Sequence, residues 1–294
     1  MKRLGRILTA MITPFAADGA VDVREAVRVA EFLIERGNDG VVVAGSTGEG
    51  NALETDEKLT LFREIKKALG DDGVVVAGTG GNNTRHSIEL TKAAEQCGVD
   101  AALLTVPAYV KPTQDGMLTH FGAILDATKL PSIVYNIPGR TAANMLPATF
   151  AELCRCHANV AGIKESTGDV NQFTAILRDR AREDVTFWAG DDYIFLPSLA
   201  IGGYGLISVA GHLASRELRA MADAFDAGDV DTAARIHHDL APLISALFAT
   251  TNPIPVKWAM ETCGFSVGPC RSPLGAMPAE LQRTLEPLIA PYRP

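Results

Sequence analysis

Eight short apolar runs rich in β-branched residues, alternating with helical patterns, constrain this chain more than any other feature. They fall at residues 6–12, 40–44, 74–78, 101–106, 132–137, 160–164, 186–189 and 205–209. Apolar runs of this length, bounded by turn residues, read as strands buried on both faces, as in parallel sheets. Between them, residues 23–36, 56–69, 84–97, 114–128, 169–181 and 193–201 carry the helical period, with Thr55, Asp56 and Thr84 in cap positions. Eight such units without a linker predict an α/β fold, a closed (β/α)8 TIM barrel, over an open doubly wound sheet. An eighth helix at 216–227 closes the series, so the barrel is expected over residues 1–225. Helices near 230–249 and 255–263 then form a C-terminal helical region over 226–294.

A formal charge of −8 argues against a nucleic-acid partner, which calls for a basic face. No run approaches the roughly 18 apolar residues of a membrane span. Met1-Lys2-Arg3 before an apolar stretch faintly resembles a signal peptide, but the stretch is short and Pro14 interrupts it. We read it as a first strand in a cytoplasmic protein. The five cysteines, Cys97, Cys154, Cys156, Cys263 and Cys270, are odd in number and scattered, unlike a disulfide framework. Cys154-Arg155-Cys156-His157 matches no common zinc spacing, so no metal is expected. His237-His238 falls in a helical pattern and reads as helix surface.

In a barrel of this kind the active site lies at the C-terminal ends of the strands. Ser46, Thr47, Tyr109, Tyr135, Arg140, Lys164 and Asp191-Asp192 all follow or end a strand, and so converge on one rim. Lys164 closes the sixth run; alternation along a strand puts Val160 and Gly162 on its face, the glycine leaving room for the lysine stem. Burial lowers an amine's pKa and yields a neutral nucleophile. Taken alone, the segment also fits a lysine just past the strand, solvated or paired with Glu165. Gly45-Ser46-Thr47-Gly48-Glu49 is a glycine-flanked hydroxyl pair suited to a carboxylate or phosphate, or simply to a tight turn. It is not a P-loop, and Gly78-Thr79-Gly80-Gly81-Asn82-Asn83 is only a weak dinucleotide signal. Tyr135 shares a face with Ile133 and Ile137, as a core aromatic or as a proton carrier beside the lysine. Arg140, after the Pro138-Gly139 turn, has the fork geometry that suits a carboxylate.

These segments resemble one known family. Gly45 to Glu49, Tyr135-Asn136-Ile137-Pro138-Gly139-Arg140-Thr141, Gly162-Ile163-Lys164-Glu165-Ser166 and Asn252-Pro253-Ile254-Pro255-Val256-Lys257 are similar to the dihydrodipicolinate synthase / N-acetylneuraminate lyase family. Gly190-Asp191-Asp192 and Gly202 to Val209 match it too, so the resemblance runs the whole chain in order. Arg140 and the Asn252 segment look like the synthase branch.

The resemblance implies a pyruvate-dependent, imine-forming aldolase needing no cofactor. Lys164 would form the imine, Tyr135 would carry protons, and the Ser46 hydroxyl would relay between Tyr135 and Tyr109. Thr47 and backbone near Ser46 would hold the pyruvate carboxylate, and Arg140 that of L-aspartate 4-semialdehyde. Backbone at Gly190 and Ile207 would complete the pocket. It also implies a homotetramer of tight dimers, with Tyr109 entering the neighbour's site. Three positions depart from the synthase pattern: Ser46 for threonine, Ala108 for a tyrosine, and His212 for an asparagine. Positions that hold feedback lysine in relatives are here Thr55, Lys58, His86 and Ala108, with Asn82 kept, so weak lysine regulation is expected. Other pyruvate aldolases acting on sialic acid, 2-keto-3-deoxy sugar acids or 4-hydroxy-2-oxoglutarate share most of these motifs. A catalytically silent barrel that senses keto acids is the alternative from another class.

Overall fold

The computed structural model describes residues 4–293; Met1, Lys2 and Arg3, weighed above as a leader, lie outside them. Eight parallel strands close into a barrel in chain order: β1 (Ile7–Ala10), β2 (Gly40–Val43), β3 (Val74–Gly78), β4 (Ala101–Thr105), β5 (Ser132–Asn136), β6 (Val160–Glu165), β7 (Thr186–Ala189) and β8 (Gly205–Ser208). β1 pairs with β8, so no edge remains. The expected (β/α)8 fold is present, with strand bounds within two residues of those read from the sequence.

Nearly every strand residue is buried, because one face meets the helices and the other fills the barrel. The interior holds Leu8, Val42, Val76, Leu103, Ile133, Tyr135, Trp188 and Ile207, packed as a core and not as a pore. Helix starts are capped by short polar side chains that accept from the first-turn amides: Asp22 from Glu25, Asn83 from His86 and Thr113 from Gly116. The second helix, Thr55–Leu69, starts from Glu54 in a reciprocal capping box with Glu57, one residue before the predicted cap. The helix after β8, Gly211–Asp226, begins earlier than predicted and is followed by Val230–Leu247, Ile254–Thr262 and Ala279–Ile289.

One expectation about β6 is corrected. The register between β5 and β6 shifts, Ser132 pairing with Val160 but Ile133 with Gly162. The extra residue turns Val160 toward the helix layer and Ala161 toward the barrel interior. Gly162 does face inward, but the space it leaves is taken by Trp188, whose ring carbon would stand 2.7 Å from a Cβ at that position. Room for the lysine stem comes from the next strand: a Cβ at Gly190 would lie 3.0 Å from both Cγ and Cε of Lys164.

The cysteines are all free. Cys154 is buried while Cys156 is exposed and donates to Glu152, so the pair does not converge on a metal. No described helix is long and apolar enough to cross a membrane.

Candidate active site

A cavity of about 230 Å³ opens at the C-terminal ends of the strands. Of the residues predicted to share a site, Ser46, Thr47, Tyr135, Arg140, Lys164 and Gly190 line it. Lys164 enters from β6 and Tyr135 from its register partner on β5, the lysine Nζ lying 4.2 Å from the tyrosine ring centroid. Lys164 does not pair with Glu165, whose buried carboxylate accepts from Asn136, Gln172 and the Thr167 amide. Burial therefore dominates, pulling the Lys164 pKa down to about 7 against a weaker upward pull from Asp192. The same burial pushes the Tyr135 phenol up to about 12, eased by the Ser166 hydroxyl beside it.

The hydroxyl loop after β2 is tightly wound. Ala44 and Glu49 take left-handed φ values of 55° and 54°, which non-glycine residues hold only when their surroundings fix them. The fixing is visible. The buried Glu49 carboxylate accepts from Lys257 Nζ at 3.0 Å and from the Arg271 amide at 2.8 Å, and Thr13 donates to the Gly48 carbonyl at 2.6 Å. Asn252 Nδ2 donates to Thr47 Oγ1 at 2.8 Å. With its oxygen already accepting, Thr47 has its own O–H left to donate into the cavity.

Arg140 stands at the exposed edge on the short helix Pro138–Thr141, where its guanidinium donates to the Asn252 carbonyl at 3.1 Å. It borders a second, adjoining cavity of about 460 Å³, which shares Ser46, Ile137 and Asn252 with the first. Asp191 lines the first cavity, whereas Asp192 lies beneath it. The Asp192 carboxylate accepts from Ser208 Oγ and the Val209 and Ala210 amides, fixing the end of β8.

Two predicted residues stand apart. Tyr109 is 89% exposed and outside the cavity, on a loop where it and Lys111 take φ values of 71° and 46°. The Ile207 side chain packs in the barrel interior below, and Val209 takes the lining position at that strand end. Several lining residues were not singled out from the sequence, the polar ones among them Ser166 and Asn252, with Phe248 beside them. Ser166 follows Lys164 at the strand period, a signal that could have placed it; Asn252 stood in a recognised motif without a role.

Fold and site together define a class: an α/β barrel carrying a buried, deprotonable amine and a phenol at the C-terminal ends of its strands. The model of the "Dihydrodipicolinate synthetase family" matches residues 3–291. The 4-hydroxy-tetrahydrodipicolinate synthase of Moorella thermoacetica is 51% identical over 92% of this chain and 92% of its own. That of Symbiobacterium thermophilum is 46% identical over 99% and 98%. Among solved structures, dihydrodipicolinate synthase from Cyanidioschyzon merolae, crystallised with lysine bound, superposes with a TM-score of 0.95 at 40% identity, covering 97% of each chain. This chain belongs to the dihydrodipicolinate synthetase family.

Proposed function

We propose that this enzyme condenses pyruvate with L-aspartate 4-semialdehyde to 4-hydroxy-tetrahydrodipicolinate, through an imine on Lys164. The observation that carries the mechanism is the buried Lys164 amine, with a pKa drawn to about 7, beside the Tyr135 phenol. A neutral amine attacks C2 of pyruvate; loss of water gives the protonated imine, which is an electron sink. Removal of a methyl proton then leaves an enamine, whose carbon attacks the aldehyde. The amino group of the adduct next attacks C2 and displaces Lys164, closing the ring.

Each neighbour has a part in this reading. Thr47 donates its free O–H to the pyruvate carboxylate, and Ser46 lies beside it in the same loop. Tyr135 exchanges protons with the reacting carbons and oxygens. Arg140 stands where the two cavities meet, suited to a second carboxylate carried by the aldehyde. Backbone at Gly190 and near Ile207 closes the far side.

The reading extends to assembly and place. Tyr109 at 89% exposure, Val110 at 59% and Leu146 at 47% put large apolar groups in water, which favours a partner surface there. We take this surface as the contact that places Tyr109 in a neighbour's site within a homotetramer. The free cysteines agree with a reducing, cytoplasmic setting.

A product assay tests the activity. Pyruvate supplied with aspartate semialdehyde, or separately with the aldehyde products of sialic acid and 2-keto-3-deoxy sugar acid cleavage, should give condensation only with the semialdehyde. Faster turnover with a sugar aldehyde would assign the chain to a lyase activity instead.

A further inference from the structure

Ser166 Oγ is shut off from solvent and makes no hydrogen bond of ordinary geometry among the described residues, although the side chain lines the cavity. A buried donor held in poor hydrogen-bond geometry contributes little to folding, and alanine would forgo little. The backbone here is already satisfied and fixed, the Ser166 amide donating to the Asn136 carbonyl at 2.9 Å. The hydroxyl has the Tyr135 phenol beside it but makes no hydrogen bond of ordinary geometry.

Its surroundings show where it acts. Ser166 follows Lys164 by two residues and so leaves the end of β6 on the same side. A Cβ at Gly190 would collide with Ser166 Oγ and stand 3.0 Å from Lys164 Cε. The hydroxyl and the end of the amine's stem therefore press on the same point. The Tyr135 phenol is the third group at this place, near enough for Ser166 to ease its ionisation. An amine, a phenol and a hydroxyl thus border the space that a carbonyl must occupy to be attacked by Lys164.

We propose that Ser166 is a further catalytic residue, whose hydroxyl holds the C2 oxygen of the keto acid while Lys164 adds to that carbon. The inference rests on the imine reading of Lys164. As the N–C2 bond forms, the C=O π pair moves onto oxygen, and Ser166 donates a hydrogen bond to the developing alkoxide. The alkoxide takes up a proton as the nitrogen loses one, giving the neutral carbinolamine. A second proton, delivered through the Tyr135 phenol and replaced from solvent, lets the oxygen leave as water while the nitrogen lone pair forms C=N. The sum is one amine, one ketone and one proton giving one protonated imine and one water.

Rapid-quench borohydride trapping with pyruvate alone, at pH 8, reads this step without the aldehyde. The parent chain is scored first and should accumulate a reduced pyruvyl group on Lys164. Ser166→Ala should form it slower by about tenfold or more, below the roughly 100-fold that one well-positioned oxyanion donor is worth. Its melting temperature should change little, since no hydrogen bond of ordinary geometry is lost, and Ser166→Thr should recover most of the rate. Trapping by Ser166→Ala at the parent rate overturns the proposal while leaving Lys164 in place. So does a slower rate accompanied by a lowered melting temperature that threonine does not correct, which marks a structural role. An absent adduct in the parent removes the imine reading and this inference together.

Discussion

Lys164 and Tyr135 are register partners on adjacent strands, with the amine 4.2 Å from the ring centroid, and one cause moves their pKa values in opposite directions. Burial disfavours both charged forms, taking the amine down to about 7 and the phenol up to about 12. Across the pH range between them, the site holds a neutral nucleophile beside a protonated phenol.

The first consequence is a pH profile. The rate of pyruvate imine formation should rise as pH passes through about 7 and then level off, following deprotonation of Lys164. Lys164→Arg should abolish trapping at every pH, because arginine keeps its proton. A rate that climbs only near pH 10 would mean an unshifted lysine.

Stability should report the same group with a definite sign. Lys164 binds its proton up to about pH 10.5 in the unfolded chain but only to about 7 in the fold. Between these values the unfolded state holds more protons, so this group's contribution to stability improves as pH rises. Lys164→Met should therefore stabilise the protein by about 2–4 kcal/mol near pH 7.5. The gain should shrink as pH approaches 10.5. Chemical denaturation at three pH values measures it, and a less stable methionine variant at pH 7.5 would contradict the assignment.

Arg140 should separate the two substrates. With the guanidinium at the junction of the cavities, Arg140→Ala should raise the KM for the semialdehyde by about 10–100-fold, as loss of a charge-assisted contact implies. Pyruvate trapping should change little. Equal damage to both steps would instead point to a disturbed loop.

Tyr109 is tested by mixing. Inactive Tyr109→Phe and Lys164→Ala subunits, allowed to exchange, should regain part of the activity, because one site in a mixed dimer is then intact. Proven exchange without recovery would place the tyrosine in its own subunit's site.

Lysine should be a poor effector. A cavity of about 350 Å³ beside the hydroxyl loop is lined by Lys58, Asn82, Asn83, His86 and Ala108, with no carboxylate among its described lining residues. A cationic amino acid would meet Lys58 there without an anionic partner, a loss of about 1.5–3 kcal/mol for each charge-assisted bond it cannot make. Initial rates across a lysine titration should stay flat; saturable inhibition would refute this.

Much of the fold was legible because the strands are buried on both faces and announce themselves as apolar runs. Lys164, Tyr135, Thr47 and Arg140 could be gathered onto one rim for the same reason: each ends or follows such a run. The bulge that sends Val160 outward was not legible, since a one-residue shift leaves no mark on hydrophobicity. Nor was the exchange by which Trp188 fills the space at Gly162 while Gly190 accommodates the lysine, since that depends on register between strands. The helix Ala279–Ile289 was missed because it buries only Leu285 and Ile289, too thin an apolar stripe to stand out. His212 looked like a departure at a sensitive position. In the fold it is a buried neutral ring that accepts from the Ile12 amide and bonds the Val209 carbonyl, its pKa lowered to about 4 by burial.

The loop that carries Ser46 and Thr47 is translated long before its anchors Asn252, Lys257 and Arg271, which follow 205 to 222 positions later. A nascent chain can therefore have Lys164 and Tyr135 outside the ribosome well before its hydroxyl loop is held in shape. Pyruvate binding therefore waits on residues 252 to 271, so a chain not yet extended that far should carry no trapped keto acid.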